Sequence, residues 1–242
     1  MSLNMNSVKA PSKQRQLITA GQHMARIVQV IDFGLQKQLP YQGQEKGPAY
    51  KMLITFEFPN ERIDINGESR PMWESYEMKL SSHEKSTCYK WYQQLDPSNE
   101  HRGDWSKLIG KECAVLIIHD TRTKGKHAGK TFAKIAGVMP LMAGTNVPPL
   151  ENDTTLFTLD SPDLEVFNAM PEWMQNRIKE NLEFDNSKLC RKLEGAPTQY
   201  TARAEGDAPL DQDADEVSPE SAVDASTPET EDFDVDGGDP WA

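Results

Sequence analysis

Residues 62–97, RIDINGESRPMWESYEMKLSSHEKSTCYKWYQQLDP, change their apolar period along their length, and that change decides the fold. Asn66-Gly67 sits between two polar arms, where both residues tolerate the positive φ of a type I′ turn, so a hairpin is predicted there. The returning arm alternates. Met72, Tyr76, Met78 and Leu80 fall on one face, interrupted by Glu74, while Trp73, Ser75, Glu77 and Lys79 fall on the other. The period then lengthens. Ser81 followed by Glu84 reads as a capping box, and Cys88, Trp91, Tyr92 and Leu95 stand at i, i+3, i+4, i+7 on one helical face. Pro97 ends that helix.

Working outward, YKMLITFEF (50–58) alternates, with Tyr50, Met52, Ile54, Phe56 and Phe58 on one side and Lys51, Thr55 and Glu57 on the other. Before it, HMARIVQVIDFG (23–34) reads as a long strand. After the helix, CAVLIIH (113–119) and TFAKIAGV (131–138) predict two more strands. Three strands, a helix and two strands is the chain order of the OB-fold, a five-stranded Greek-key barrel. Beyond Pro140 the chain reads as loop to Asp160. Ser161 then caps a helical stretch that Pro171 divides, the second part carrying Trp173, Met174, Ile178 and Leu182. The expected organisation is a flexible segment 1–20, an OB-fold domain 21–140, a loop and helical extension 141–194 packed on it, and a disordered acidic tail 195–242.

The net charge of −12 conceals that organisation. Residues 204–242 contain fourteen Asp and Glu and no Lys or Arg, leaving the first 203 residues with 26 basic and 24 acidic side chains, a net +2. Cys88, Cys113 and Cys190 are widely spaced and odd in number, which favours a reducing interior over a disulfide framework. With no apolar run of membrane-spanning length and no signal-peptide pattern, a soluble cytoplasmic protein is expected.

Two motifs that suggest chemistry fail on spacing. GKHAGKT (125–131) has three residues between Gly125 and Gly129 where a phosphate-binding P-loop has four, and β-type residues follow where that loop needs a helix. Asp232, Asp234, Asp236 and Gly237 match the opening of a calcium loop, but its twelfth position, the bidentate glutamate, falls one residue past Ala242. His23, His83, His101, His119 and His127 are scattered, and no serine or cysteine has a nucleophile context. No catalytic residue, metal site or cofactor is expected, and the chain does not read as an enzyme.

What remains is cationic and aromatic. Arg122, Lys124, Lys126, Lys130 and Lys134 lie within thirteen residues, and Phe132 shares a strand face with Lys134. Stacking on aromatic rings plus charge on the backbone is how single strands are held. In an OB-fold the ligand crosses strands two and three between the loops joining strands one–two and four–five. The first of those loops carries Lys37, Tyr41 and Lys46, and the second carries most of the basic cluster. The expected single-stranded DNA contacts are therefore Trp73, Phe132, Tyr41, Lys51, Lys79, Arg122, Lys124, Lys126, Lys130 and Lys134.

YKMLITFEFPNERI, RPMWESYEMKLSSHEKSTCYKWYQQLDP, GDWSKLIGK, GKHAGKTFAKI and SPDLEVFNAMPEWMQ together resemble the OB-fold single-stranded DNA-binding proteins of tailed bacteriophages, over about residues 20–185. The resemblance implies protection of single-stranded DNA during phage replication and recombination in the infected bacterial cytoplasm. It also implies a tail that competes with DNA and recruits replication or recombination proteins through Phe233, Asp234, Asp236, Asp239, Pro240 and Trp241. Bacterial relatives of that broader class end on Pro-Phe, whereas this chain ends Asp-Pro-Trp-Ala. The alternative is an OB-fold assembly protein that uses barrel and tail for protein contacts only.

Overall fold

A computed structural model describes residues 16–40, 44–123 and 128–193. They form a mainly β structure in which five antiparallel strands curl into a half-barrel, accompanied by a few short helices. The strands are β1 (Gly21–Gln36), β2 (Ala49–Ile65), β3 (Glu68–Lys79), β4 (Glu112–Thr121) and β5 (Thr131–Met139), ordered β3-β2-β1-β4-β5 across the sheet. The edge strands β3 and β5 approach one another without entering the hydrogen-bonded order. Helix α1 (Thr87–Leu95) follows β3 in the chain and lies against both edges.

The hairpin between β2 and β3 turns on Asn66 and Gly67, both with positive φ (57° and 87°), as a type I′ turn requires. Its ladder breaks between Phe58 and Arg62, where Pro59, Asn60 and Glu61 bulge out of β2 opposite Met72 and Pro71. Helix α1 starts later than the sequence suggests. Ser86 is its cap, accepting from the Tyr89 amide, whereas Ser81 holds a preceding turn through the His83 amide. At its other end Asp96 accepts from the Tyr92 hydroxyl and the Glu100 and His101 amides. The His101 amide foremost, with the other donors, lowers the Asp96 pKa below the ordinary carboxylate value.

The inward face of the sheet holds the main core. Ile27, Ile54, Phe56, Phe58, Met78 and Val115 fill it, with Trp91 and Tyr92 closing it from α1. Trp91 stands 4.5 Å from the Tyr76 ring. The expected stripes stop short of their ends: Tyr50 and Leu80 are about half exposed, because they lie past the core where β2 and β3 run out.

The outward face is covered as well. β6 (Thr155–Phe157), a short strand in a region expected to be loop, runs parallel to β1 at Gln29–Ile31. Helices α2 (Leu164–Ala169), α3 (Glu172–Lys179) and α4 (Lys188–Lys192) follow. Asp163 caps α2, not Ser161, and Pro171 separates α2 from α3. Ile31, Phe33 and Leu53 on the sheet meet Phe157, Phe167, Met174 and Ile178 in a second core. Gly34, at φ 71°, permits the close approach: a Cβ there would stand 2.6 Å from the Asn181 and Leu159 side chains. Asn181 in turn accepts from the Leu35 amide.

A charge cluster lies under α3. Glu77 is fully buried, with Oε1 2.6 Å from Arg177 Nη2 and 3.3 Å from Lys51 Nζ, while Arg177 also meets Glu180 at 3.2 Å. Burial opposes the Arg177 charge, but Glu77 outweighs it and holds the guanidinium above its ordinary pKa. Removing one member leaves buried charge uncompensated, at a cost of about 3–5 kcal/mol. Glu77→Leu is expected to lower stability by that amount in urea denaturation, and Lys51→Met/Glu77→Leu/Arg177→Met to recover most of it. A Glu77→Leu variant as stable as the parent would contradict this role.

Candidate nucleic-acid interface

The expected contact residues divide into groups at different ends of the sheet. Trp73 stands on β3 with half of its surface exposed (51%), on the face away from Met72, Tyr76 and Met78. The one register shift of the β2–β3 pair lies in β2, so the alternation of β3 is unbroken. Across the strand pair its partner is Glu57, which is buried and accepts from the Glu151 and Asn152 amides and from Asn152 Nδ2. Arg62 pairs with Glu151 through its two terminal guanidinium nitrogens. These contacts fix Glu151 and Asn152 over Glu57, the residue across the strand pair from Trp73.

On the other edge, Phe132 and Lys134 are half-buried on the face of β5 opposite Ala133 and Ile135. Arg122 Cζ lies 5.9 Å from the centroid of the Phe132 ring, within cation–π range, and Lys130 is exposed beside them. A cation over an aromatic ring places a phosphate donor beside a flat apolar surface. The loop leads into a strand, where a P-loop would lead into a helix. Tyr41, Lys124, Lys126 and the tail residues Phe233, Asp234, Asp236, Asp239, Pro240 and Trp241 lie outside the described residues.

Lys51 departs from expectation. The sequence places it on a polar, outward face of β2, and that face is outward; but Lys51, Thr55 and Glu57 are each at most 2% exposed beneath the extension. Its ammonium faces Glu77, so it offers no surface charge in this structure. Lys79 is exposed, but six residues along β3 from Trp73, about 20 Å at the usual strand rise. It belongs to the opposite end of the β2–β3 pair.

A segment expected to be flexible links β2 to β4. Ile18 is inserted into the main core at 1% exposure. Its carbonyl lies 2.8 Å from His119 Nε2 on β4, close to the loop bearing Arg122. On the other side Thr19 donates to Glu61 from both its amide and its hydroxyl, and Gln16 Nε2 donates to the Arg62 carbonyl. His23 completes the contact, with Nε2 2.7 Å from the Thr19 carbonyl and Nδ1 3.3 Å from Glu61. Residues 16–20 therefore form a strap from the β2 bulge to the end of β4. Neither histidine has ligand-like spacing, and Leu17 and Ile18 at the end of a polar stretch show no apolar period that would mark a core residue.

Other reactive side chains are engaged elsewhere. Burial pushes the Cys113 thiol up to about 12, so it stays protonated at neutral pH. Among the described residues no three His, Cys, Asp or Glu cluster as metal ligands, and no helix is long and apolar enough to cross a membrane. No protein-family model matches this sequence, nor does any curated protein.

The environments of two tryptophans predict contrasting substitutions. Trp73→Ala, at an exposed position, is expected to shift stability by no more than about 0.5 kcal/mol. Trp91→Ala, in the core, is expected to cost about 3–5 kcal/mol in the same urea titration. A large loss at Trp73 would mean that its ring is structural.

Proposed function

We propose that this protein binds single-stranded DNA without strong sequence preference through an OB-fold barrel. It would shield single strands during replication and recombination of a tailed bacteriophage, in the cytoplasm of the infected cell. The observation that carries the reading is the pairing of exposed Trp73 on one edge of the half-barrel with Arg122 over Phe132 and exposed Lys130 on the other. Bases offer π-faces to such rings and the backbone offers phosphates to such cations, a combination that tolerates any sequence. The chain order of β1–β5 with α1 between β3 and β4, and the approach of β3 to β5, support the barrel assignment. Reading duplex sequence would call for a helix or ribbon presented to a major groove. The described helices of the extension instead bury Phe167, Met174, Ile178 and Leu189 against the sheet.

The tail has a role in the same reading. A flexible segment the length of 204–242 reaches about 35 Å r.m.s. and, tethered, acts at an effective concentration of about millimolar. Its fourteen carboxylates would compete with phosphate for the barrel's cations. DNA binding would then release Phe233, Pro240 and Trp241 to dock replication or recombination proteins.

Fluorescence-anisotropy titration with labelled oligo-dT and with duplex, at two salt concentrations, tests the proposal. Preferential binding to oligo-dT is expected, with log K falling against log salt at a slope of about −3 for four phosphate contacts at roughly −0.7 each. Deleting 204–242 is expected to tighten binding at low salt. Absence of oligo-dT binding would favour a barrel used for protein contacts only, and unchanged or weaker affinity after truncation would remove the competing tail.

A further inference from the structure

Arg62 follows the bulge of β2, in register with Pro71, two residues or roughly 7 Å along β3 from Trp73. Its guanidinium is oriented by the facing strand: Nε donates to Ser69 Oγ at 3.1 Å and Nη2 to the Ser69 carbonyl at 2.6 Å. Ser69 and Trp73 have the same parity on β3, so this cation stands on the outward side with the indole. Arg70 alternates onto the other face and pairs with Glu68.

A carboxylate fills the rest of the Arg62 fork. Nη1 and Nη2 donate to the two oxygens of Glu151, the two-point arrangement that a phosphate also adopts on arginine. These hydrogen bonds hold the Glu151 carboxyl below its ordinary pKa and the Arg62 guanidinium above its own, so both are charged at neutral pH. The side chains are 34% and 50% exposed, and an ion pair so open to water adds little net stability. The chain at Glu151 does not depend on that pair, because the Glu151 and Asn152 amides donate to buried Glu57. The carboxylate can therefore leave the guanidinium while the backbone stays in place.

We propose that Arg62 is a phosphate contact beside Trp73, and that Glu151 occupies its fork until the backbone of a single strand displaces it. The inference rests on the single-strand-binding reading above and adds to it a cation at the aromatic edge, together with the side chain that regulates it. One anion replaces another on a guanidinium already oriented by Ser69, so Arg62 is not reordered at the moment of binding. The released carboxylate turns to water.

The test uses the full chain with Arg62→Gln, Glu151→Gln and the double variant, each checked by urea denaturation. Glu151→Gln leaves both the Ser69 contacts of Arg62 and the amide contacts of Glu57 in place. Oligo-dT binding is followed by anisotropy from about 50 to 300 mM salt. Arg62→Gln is expected to make the log K–log salt slope shallower by about 0.7, one phosphate contact, and to weaken binding roughly three- to tenfold at the lowest salt. Glu151→Gln is expected to tighten binding roughly two- to fivefold, by removing the competitor, and to have no effect once Arg62 is Gln. If the parent binds and Arg62→Gln matches its slope and affinity, the contact is overturned and the interface at Trp73 and Phe132 stands. No tightening by Glu151→Gln, or equal tightening with and without Arg62, overturns the displacement. If the parent does not bind oligo-dT, this inference falls with the reading it rests on.

Discussion

Apolar side chains stand on both faces of one sheet, and the architecture follows from having to cover them. Ile54, Phe56 and Phe58 point inward from β2, while Leu53 points outward, joined on β1 by Ile31 and Phe33. Curling the sheet and closing it with α1 buries only the inward set. The outward set needs a second cover, and the extension supplies it through Phe157, Phe167, Met174 and Ile178. Each such side chain is worth roughly 1.5–3 kcal/mol when fully buried, so the extension contributes substantially to folding.

That cover also determines where another molecule can lie. The outward residues of β2 meet Glu151 and Asn152 at one end and the Glu77–Arg177 pair under α3 at the other, and the polar ones among them are satisfied from within: Glu57 by backbone amides, Lys51 by Glu77, and Thr55 by Gln29 and Ser75. A long ligand crossing the middle of β2 would have to displace this layer. The edges are different. Trp73 on β3 is half exposed and Arg122 lies over the partly exposed Phe132 ring on β5, and the strap crosses from the β2 bulge to β4 between these strands. The proposed interface is thus shifted from the broad face of the sheet to its edges and the N-terminal end of β1.

Legibility in the sequence followed the range of the forces involved. The hairpin at Asn66-Gly67, the inward stripe of β2 and the buried face of α1 are set by local φ and by period, and each could be read from a few adjacent residues. Trp73 was readable for the same reason. The helix caps were misplaced because Ser81, Ser86, Ser161 and Asp163 are all chemically able to cap, and only the path of the chain selects among them. Lys51 was misread because its carboxylate partner and the Arg177 that completes the cluster are 26 and 126 positions away, so a polar alternation normal for a solvated face sits beneath a helix. The strap was invisible because its information lies in Glu61, His23 and His119, scattered in sequence and gathered only by the bulge and the β1–β4 pairing.

Amide hydrogen exchange on the full chain, with and without excess oligo-dT at low salt, tests the central claim most directly. The account predicts added protection at the strap 16–20, around Trp73 and at 128–134, with the covering segments 147–160 and 164–182 unchanged. Protection concentrated on 147–182, or opening of those segments as the oligonucleotide binds, would place the strand on the broad face of β2 and contradict it.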